Sequence, residues 1–124
     1  MPLSKHFGWQ VGDNVSSSWR PGSKVRYTEL MCETLPVVRG ILIAAARRQQ
    51  TITYGELAIA VDRRYHNLQF GDLLDVLSQD CEDFNEPSLA ALVVNQRTGL
   101  PGGAFIGDAV AGKQDCFRYW EQQG

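Results

Sequence analysis

Tyr54 and Glu56 lie two residues apart in "TITYGELAIAV", residues 51–61, and Arg97 follows in "NQRTGLPGGAF", residues 95–105. A phenol, a carboxylate and a guanidinium can bind a polar ligand together, or share acid–base work if a cleft brings them within hydrogen-bond reach. Glu56 also has a simpler reading. Thr53 and Glu56 form the S/T-x-x-E pattern of a capping box, which ties a glutamate to the first amides of its own helix. That structural role outweighs the catalytic one, and the reading here is of a chain that is not an enzyme.

The remaining chemical inventory is thin. His6 and His66 are the only histidines, and neither has a Ser or Cys at a spacing diagnostic of a catalytic triad. Cys32, Cys81 and Cys116 are widely spaced, without a CxxC pair or a Cys/His cluster, so they read as reduced thiols and not as zinc ligands. Asp72 and Asp75, one helical turn apart, could supply paired carboxylates to a metal-dependent nuclease. No basic residue stands among them, and a solvated acidic face is the better reading. Neither a metal nor a cofactor is expected.

The loop at 95–105 is the most informative segment. Gly99, Gly102 and Gly103 permit positive φ and close backbone approach, while Pro101 stiffens the path. Such a loop either packs tightly under a helix, with Phe105 as anchor, or meets a ligand or another chain. It is not a phosphate-binding P-loop, because no Gly-Lys-Ser/Thr follows, and it lacks the G-x-G-x-x-G spacing of a dinucleotide site. The residues expected to contact a ligand or partner are Tyr54, Glu56, Asn95, Arg97 and Phe105.

The elements that must position these groups follow from periodicity. The 124 residues suit one domain with one core, and 44% hydrophobic against 21% charged content is ordinary for a globular chain. Leu30, Leu35, Val38, Ile41, Leu42 and Ala45 mark one face of a helix that ends near Arg47 and Arg48. Pro36 inside it predicts either a start there, with Thr34 as cap, or a kink. "TIT" predicts a short strand, Tyr54 to Val61 a second helix, and 69–84 a third. "SLAALVVN" reads as a buried strand, and the segment around 114–122 as a last helix with Cys116, Phe117 and Trp120 inward. Residues 1–24 form an arm rich in Gly, Ser and Pro, with Phe7, Trp9 and Val11 alternating as in a strand. Trp9 and Trp19 would dock the arm on the body or offer a homodimer surface.

The expected fold is therefore α+β: one mostly helical, winged-helix-like domain, residues 25–124, with a short sheet and an N-terminal arm, 1–24. In that arrangement the third helix reads DNA and the strand and loop after it form the wing. The longest apolar run, "GILIAAA", is too short for a bilayer, and "MPLSKHFGWQ" has no apolar signal region, which predicts a cytoplasmic protein without a membrane span.

Two resemblances accompany these residues. "ITYGELA" resembles the segment that opens the helix-turn-helix of alkylguanine-DNA alkyltransferases and alkyltransferase-like proteins. The likeness covers about a dozen residues. The Pro-Cys-His-Arg motif that carries repair there has no counterpart, since Cys81 sits in "QDCED" and Cys116 in "QDCFR", so alkyl transfer is rejected. Over most of 35–120, "TITYGELA", "LLDVLSQ", "PSLAALVVNQRTGLPGGAF" and "FRYW" are similar to a group of small bacterial winged-helix-like proteins, uncharacterised in activity, some encoded within mobile genetic material. That likeness implies a fold and cargo of mobile elements, and no activity.

Charge decides between the binding modes. A net charge of -2 and a pI near 5.6 give no general attraction to phosphate backbones. "GDLLDVLSQDCEDFNEP", residues 71–87, holds six acidic residues and no basic one. Each carboxylate brought beside a phosphate costs on the order of 1 kcal/mol even when solvated. The third helix is therefore not expected to read DNA in the usual way. The expected function is a binding module that engages a protein or small ligand near 95–105. Nucleic-acid binding through Arg47, Arg48, Arg63, Arg64 and Arg97 is the alternative, and a small enzyme built on Tyr54, Glu56 and Arg97 is the third reading.

Overall fold

A computed structural model describes residues 6–16, 24–61, 67–96 and 109–122. Their architecture is α+β and mostly helical. Two short strands, β1 (Asn14–Ser16) and β2 (Lys24–Arg26), precede helix α1 (Glu29–Arg47). Strand β3 (Ile52–Thr53) leads directly into α2 (Tyr54–Ala60), and α3 (Asn67–Asp83) follows. A 3-10 turn (Leu89–Leu92), strand β4 (Val93–Val94) and helix α4 (Ala109–Gln122) complete the elements among the described residues. No helix among the described residues is long and apolar enough to cross a membrane.

Helix α1 is the spine. Thr28, in extended conformation, caps it by accepting from the Met31 amide at 3.1 Å, and Glu29 places negative charge in the first turn, where the helix dipole favours it. Met31, Leu35, Val38 and Leu42 turn one stripe into the core. The helix neither starts at Pro36 nor uses Thr34 as a cap: it begins seven residues before Pro36, and Thr34 is buried. Pro36 lies on the exposed side, so the carbonyl of Cys32 that loses its intrahelical partner belongs to an exposed residue, and burial of the opposite stripe holds the helix together.

Both α1 and α3 stop in the same way. Gln49 and Asn85 adopt left-handed φ of 55° and 57°. The Gln50 amide reaches back to Ala45 O at 2.9 Å, and the Glu86 amide to Cys81 O at 2.8 Å. Each is the six-to-one bond of a Schellman motif, with the five-to-two bond supplied by Gln49 to Ala46 and Asn85 to Glu82.

"SLAALVVN" departs from the expected strand. Leu89–Leu92 wind into a 3-10 turn, and only Val93 and Val94 extend. All six are buried. A continuous apolar run signals burial without fixing the backbone, and here the turn packs against α1, α3 and α4.

The N-terminal segment also differs from the alternation of Phe7, Trp9 and Val11. Its strand is β1, antiparallel to β2 with Val15 opposite Val25, both buried. Ahead of it Gly12, at φ 100°, donates to Tyr27 O at 2.8 Å, and the Tyr27 amide donates to Asp13 O at 2.8 Å. That φ suits glycine and strains any other residue. Phe7 is buried, Trp9 is half-buried against the Tyr27 ring, and Val11 is exposed.

Candidate functional site

The pairing of β3 with β4 decides which predicted residues meet. It is parallel, with Ile52 opposite Val93 and Thr53 opposite Val94. Parallel strands finish at the same edge, so Tyr54 and Asn95 leave the sheet side by side. Tyr54 is half-buried with its ring against the core, while Gly55, Glu56, Asn95 and Gln96 are exposed. Arg97 and Phe105 lie outside the described residues, as do Arg63, Arg64, His66 and Trp19.

Glu56 is held by its own helix. Its carboxylate accepts from the Thr53 amide at 3.0 Å, while the Thr53 hydroxyl accepts from the Glu56 amide at 3.1 Å. Both halves of the capping box are present. The bonds from Thr53 hold the Glu56 carboxyl below its ordinary pKa, so it persists as an anion. An exposed carboxylate with a lowered pKa, engaged by local amides, makes a poor general base.

Arg47 closes the last turn of α1 and Arg48 caps it. Both are exposed. The acidic stretch is not a uniformly solvated face. Asp72 is exposed, but Asp75 is 5% and Asp80 0% accessible. Among the described residues no cluster of three His, Cys, Asp or Glu side chains could hold a metal ion.

Asp80 anchors a group of residues that spacing along the chain did not reveal. Its two carboxylate oxygens accept from the Phe7 amide at 2.7 Å and from His6 Nδ1 at 2.6 Å. The His6 ring lies 3.9 Å, centroid to centroid, from that of Phe84, and its Nε2 is 3.8 Å from Glu86 Oε2. Glu86 in turn receives both Arg39 nitrogens, at 2.7 and 2.9 Å, in a bidentate pair. The Arg39 guanidinium also sits 5.4 Å from the Trp120 ring centroid. Burial alone would lower the Arg39 pKa, but hydrogen bonding and attraction from Glu86 more than offset it and leave it raised.

This network ties the N-terminal segment, α1, α3 and α4 to one another. His6 and Asp80 are 74 positions apart, and Arg39 and Glu86 are 47. The one local hint is that a Schellman motif at Asn85 aims the next residue, Glu86, back across the end of its helix. The network is built like a fastening: its donors and acceptors are directed at one another.

The thiols are equally inward. Cys81 and Cys116 are buried, and Cys116 Sγ lies 3.1 Å from Ser88 O. Burial pushes both thiols up to about 12, where they stay protonated and inert. Cys32 is exposed. Comparison of the chain with protein-family models, with curated proteins and with solved structures returned no match.

Proposed function

We propose that this protein is a non-enzymatic interaction module whose binding edge lies where Tyr54, Glu56 and Asn95 emerge together, at the point where the sequence enters the glycine-rich stretch 95–105. The parallel register of β3 and β4 carries this reading, because it brings two sequence-distant candidate segments to one edge. The engagement of Glu56 in its capping box supports binding over catalysis, since the carboxylate best suited to acid–base work has a structural task. The finer reading of the fold as winged-helix-like belongs with this proposal. It draws on the order α1, β3, α2, α3, β4, in which α2 and α3 stand as the two helices of a helix-turn-helix.

The partner class is a protein segment or a small polar ligand. Nucleic acid is the second reading, favoured by the exposed Arg47 and Arg48 at the end of α1. Amide spectra of the labelled protein separate the two. The titrants are a 20-base-pair duplex, a nucleotide mixture, free amino acids and a set of short peptides, each at low salt. The proposal expects a peptide or small molecule to shift the Tyr54–Leu57 and Asn95–Gln96 signals, with loss of those shifts in Tyr54→Ala. Shifts produced by the duplex alone, centred on Arg47 and Arg48 and weakening steeply with salt, would refute it in favour of the second reading.

A further inference from the structure

Helix α1 presents a second face, opposite the buried stripe. Glu33, Val37, Gly40, Ala44 and Arg47 follow one another at steps of four, three, four and three residues, and all five are exposed. This is the spacing of a helix–helix seam. Val37 is 50% exposed and lies within that face.

Gly40 is the informative member. A β-carbon there would meet nothing within 4 Å, so the packing of this chain does not require glycine. Glycine in a helix interior costs roughly 0.5–1 kcal/mol relative to alanine. The open space beside Gly40 allows another backbone to approach closely.

Charge identifies the other backbone. Glu33 lies seven residues before Gly40 and Arg47 seven residues after it. A two-fold axis through Gly40 would lay a second α1 antiparallel on the first. Glu33 would then face Arg47 of the second copy, and Arg47 its Glu33, each pair about 10 Å from the axis along the helix. Val37 would fall beside Ala44 of the other copy, and the two Gly40 positions would meet. A parallel arrangement sets Glu33 against Glu33 and Arg47 against Arg47, which is repulsive. Glu33 also interacts within its own chain, and an exposed carboxylate has more than one acceptor position.

We infer that the protein self-associates into an antiparallel homodimer through the Glu33–Val37–Gly40–Ala44–Arg47 face of α1. This surface differs from the aromatic N-terminal arm, where Trp9 is half-buried on its own chain's Tyr27, and from the proposed binding edge at Tyr54 and Asn95. One helix seam is small, so the dimer is weak and forms only at high protein concentration.

Sedimentation equilibrium of the full chain up to about 1 mM, together with charge reversal, tests this. Glu33→Arg and Arg47→Glu each turn two attractions into two repulsions, weakening association about tenfold. The double variant restores the parental constant, because its charges are complementary again. A chain monomeric at every concentration overturns the inference, as does a dimer indifferent to the single reversals. A cross-link gives an independent readout. In a Cys32→Ser background, Gly40→Cys should form an intermolecular disulfide under mild oxidation much faster than Gln50→Cys. Equal rates overturn the inference as well.

Discussion

Asp80 offers the sharpest test of how the N-terminal segment is held. Its carboxylate is fully buried and accepts one bond from the Phe7 amide and one from His6. Asp80→Asn keeps the shape and removes one acceptor. The amide oxygen can still accept from Phe7, while its NH₂ faces His6 Nδ1, which must change tautomer to accept from it. Hydrogen bonds to charged groups contribute about 1.5–3 kcal/mol, and a buried donor left without a partner costs about 1–3 kcal/mol. The bond to Phe7 is buried and counts in full, whereas the His6 side chain is 31% exposed and counts for less. The expected loss is therefore about 2–3 kcal/mol, a large share of a typical stability of about 5–15 kcal/mol.

Urea unfolding followed by tryptophan fluorescence would measure the loss, and thermal melting should show a drop on the order of 10 °C. Combining Asp80→Asn with His6→Ala isolates the pair: the double variant should lose less than the sum of the singles, with a coupling of about 1 kcal/mol. If Asp80→Asn stays within about 0.5 kcal/mol of the parent, or the two changes simply add, the bonds do not secure the segment and the reasoning fails.

Five further outcomes follow from the local geometry. Thr53→Ala removes the α2 cap and should cost about 1 kcal/mol. The lowered pKa of Glu56 means its contribution is present above the ordinary value of 4.5 and is lost as pH falls through the folded value, so Glu56→Gln should flatten the acid limb of the stability curve. In the native protein at pH 8, a colorimetric thiol reagent should react quickly with Cys32 alone, leaving Cys81 and Cys116 until unfolding; fast reaction at more than one thiol per chain contradicts their burial. Because those two thiols move from about 9.0 to about 12, their protonated forms favour folding below pH 9, and stability should decline above it. Gln49→Gly should stabilise the fold by about 0.5–1 kcal/mol in urea unfolding, since it relieves left-handed strain at the end of α1.

What could be read from the chain was what repeats over a few residues. The capping box at Thr53 and Glu56 is a four-residue signal, and the structure holds both of its bonds. The apolar stripe of α1 survives an internal proline because its burial is distributed over many side chains, so the misleading feature was the single strongest local one. "SLAALVVN" showed that it is buried but not whether it extends, because continuous hydrophobicity has no period from which to tell turn from strand. The network of His6, Arg39, Asp80 and Glu86 was invisible for a different reason. Each of its bonds joins residues far apart in sequence, and no spacing rule applies to a contact made only once the chain has folded.

That network also changes what the acidity of residues 71–87 means. Six carboxylates looked like a surface that would repel a polyanion. Asp80 is buried under the N-terminal segment, Asp75 is buried as well, and Glu86 is neutralised by a bidentate arginine from α1. Asp72, Glu82 and Asp83 remain exposed, and Asp83 accepts from Gln79 at 2.8 Å. Half of the apparent charge is therefore internal, and the repulsion a phosphate backbone would feel is correspondingly weaker. The inward carboxylates also draw in cations: Arg39 is committed to Glu86 and cannot serve a phosphate. What opposes conventional groove reading is then less repulsion than the lack of any Arg or Lys on α3. Along α3 the side-chain amides suited to a base edge are Asn67, Gln69 and Gln79, and Gln79 is engaged with Asp83. The two surfaces proposed above lie elsewhere, at the edge where β3 and β4 end and along the outer face of α1.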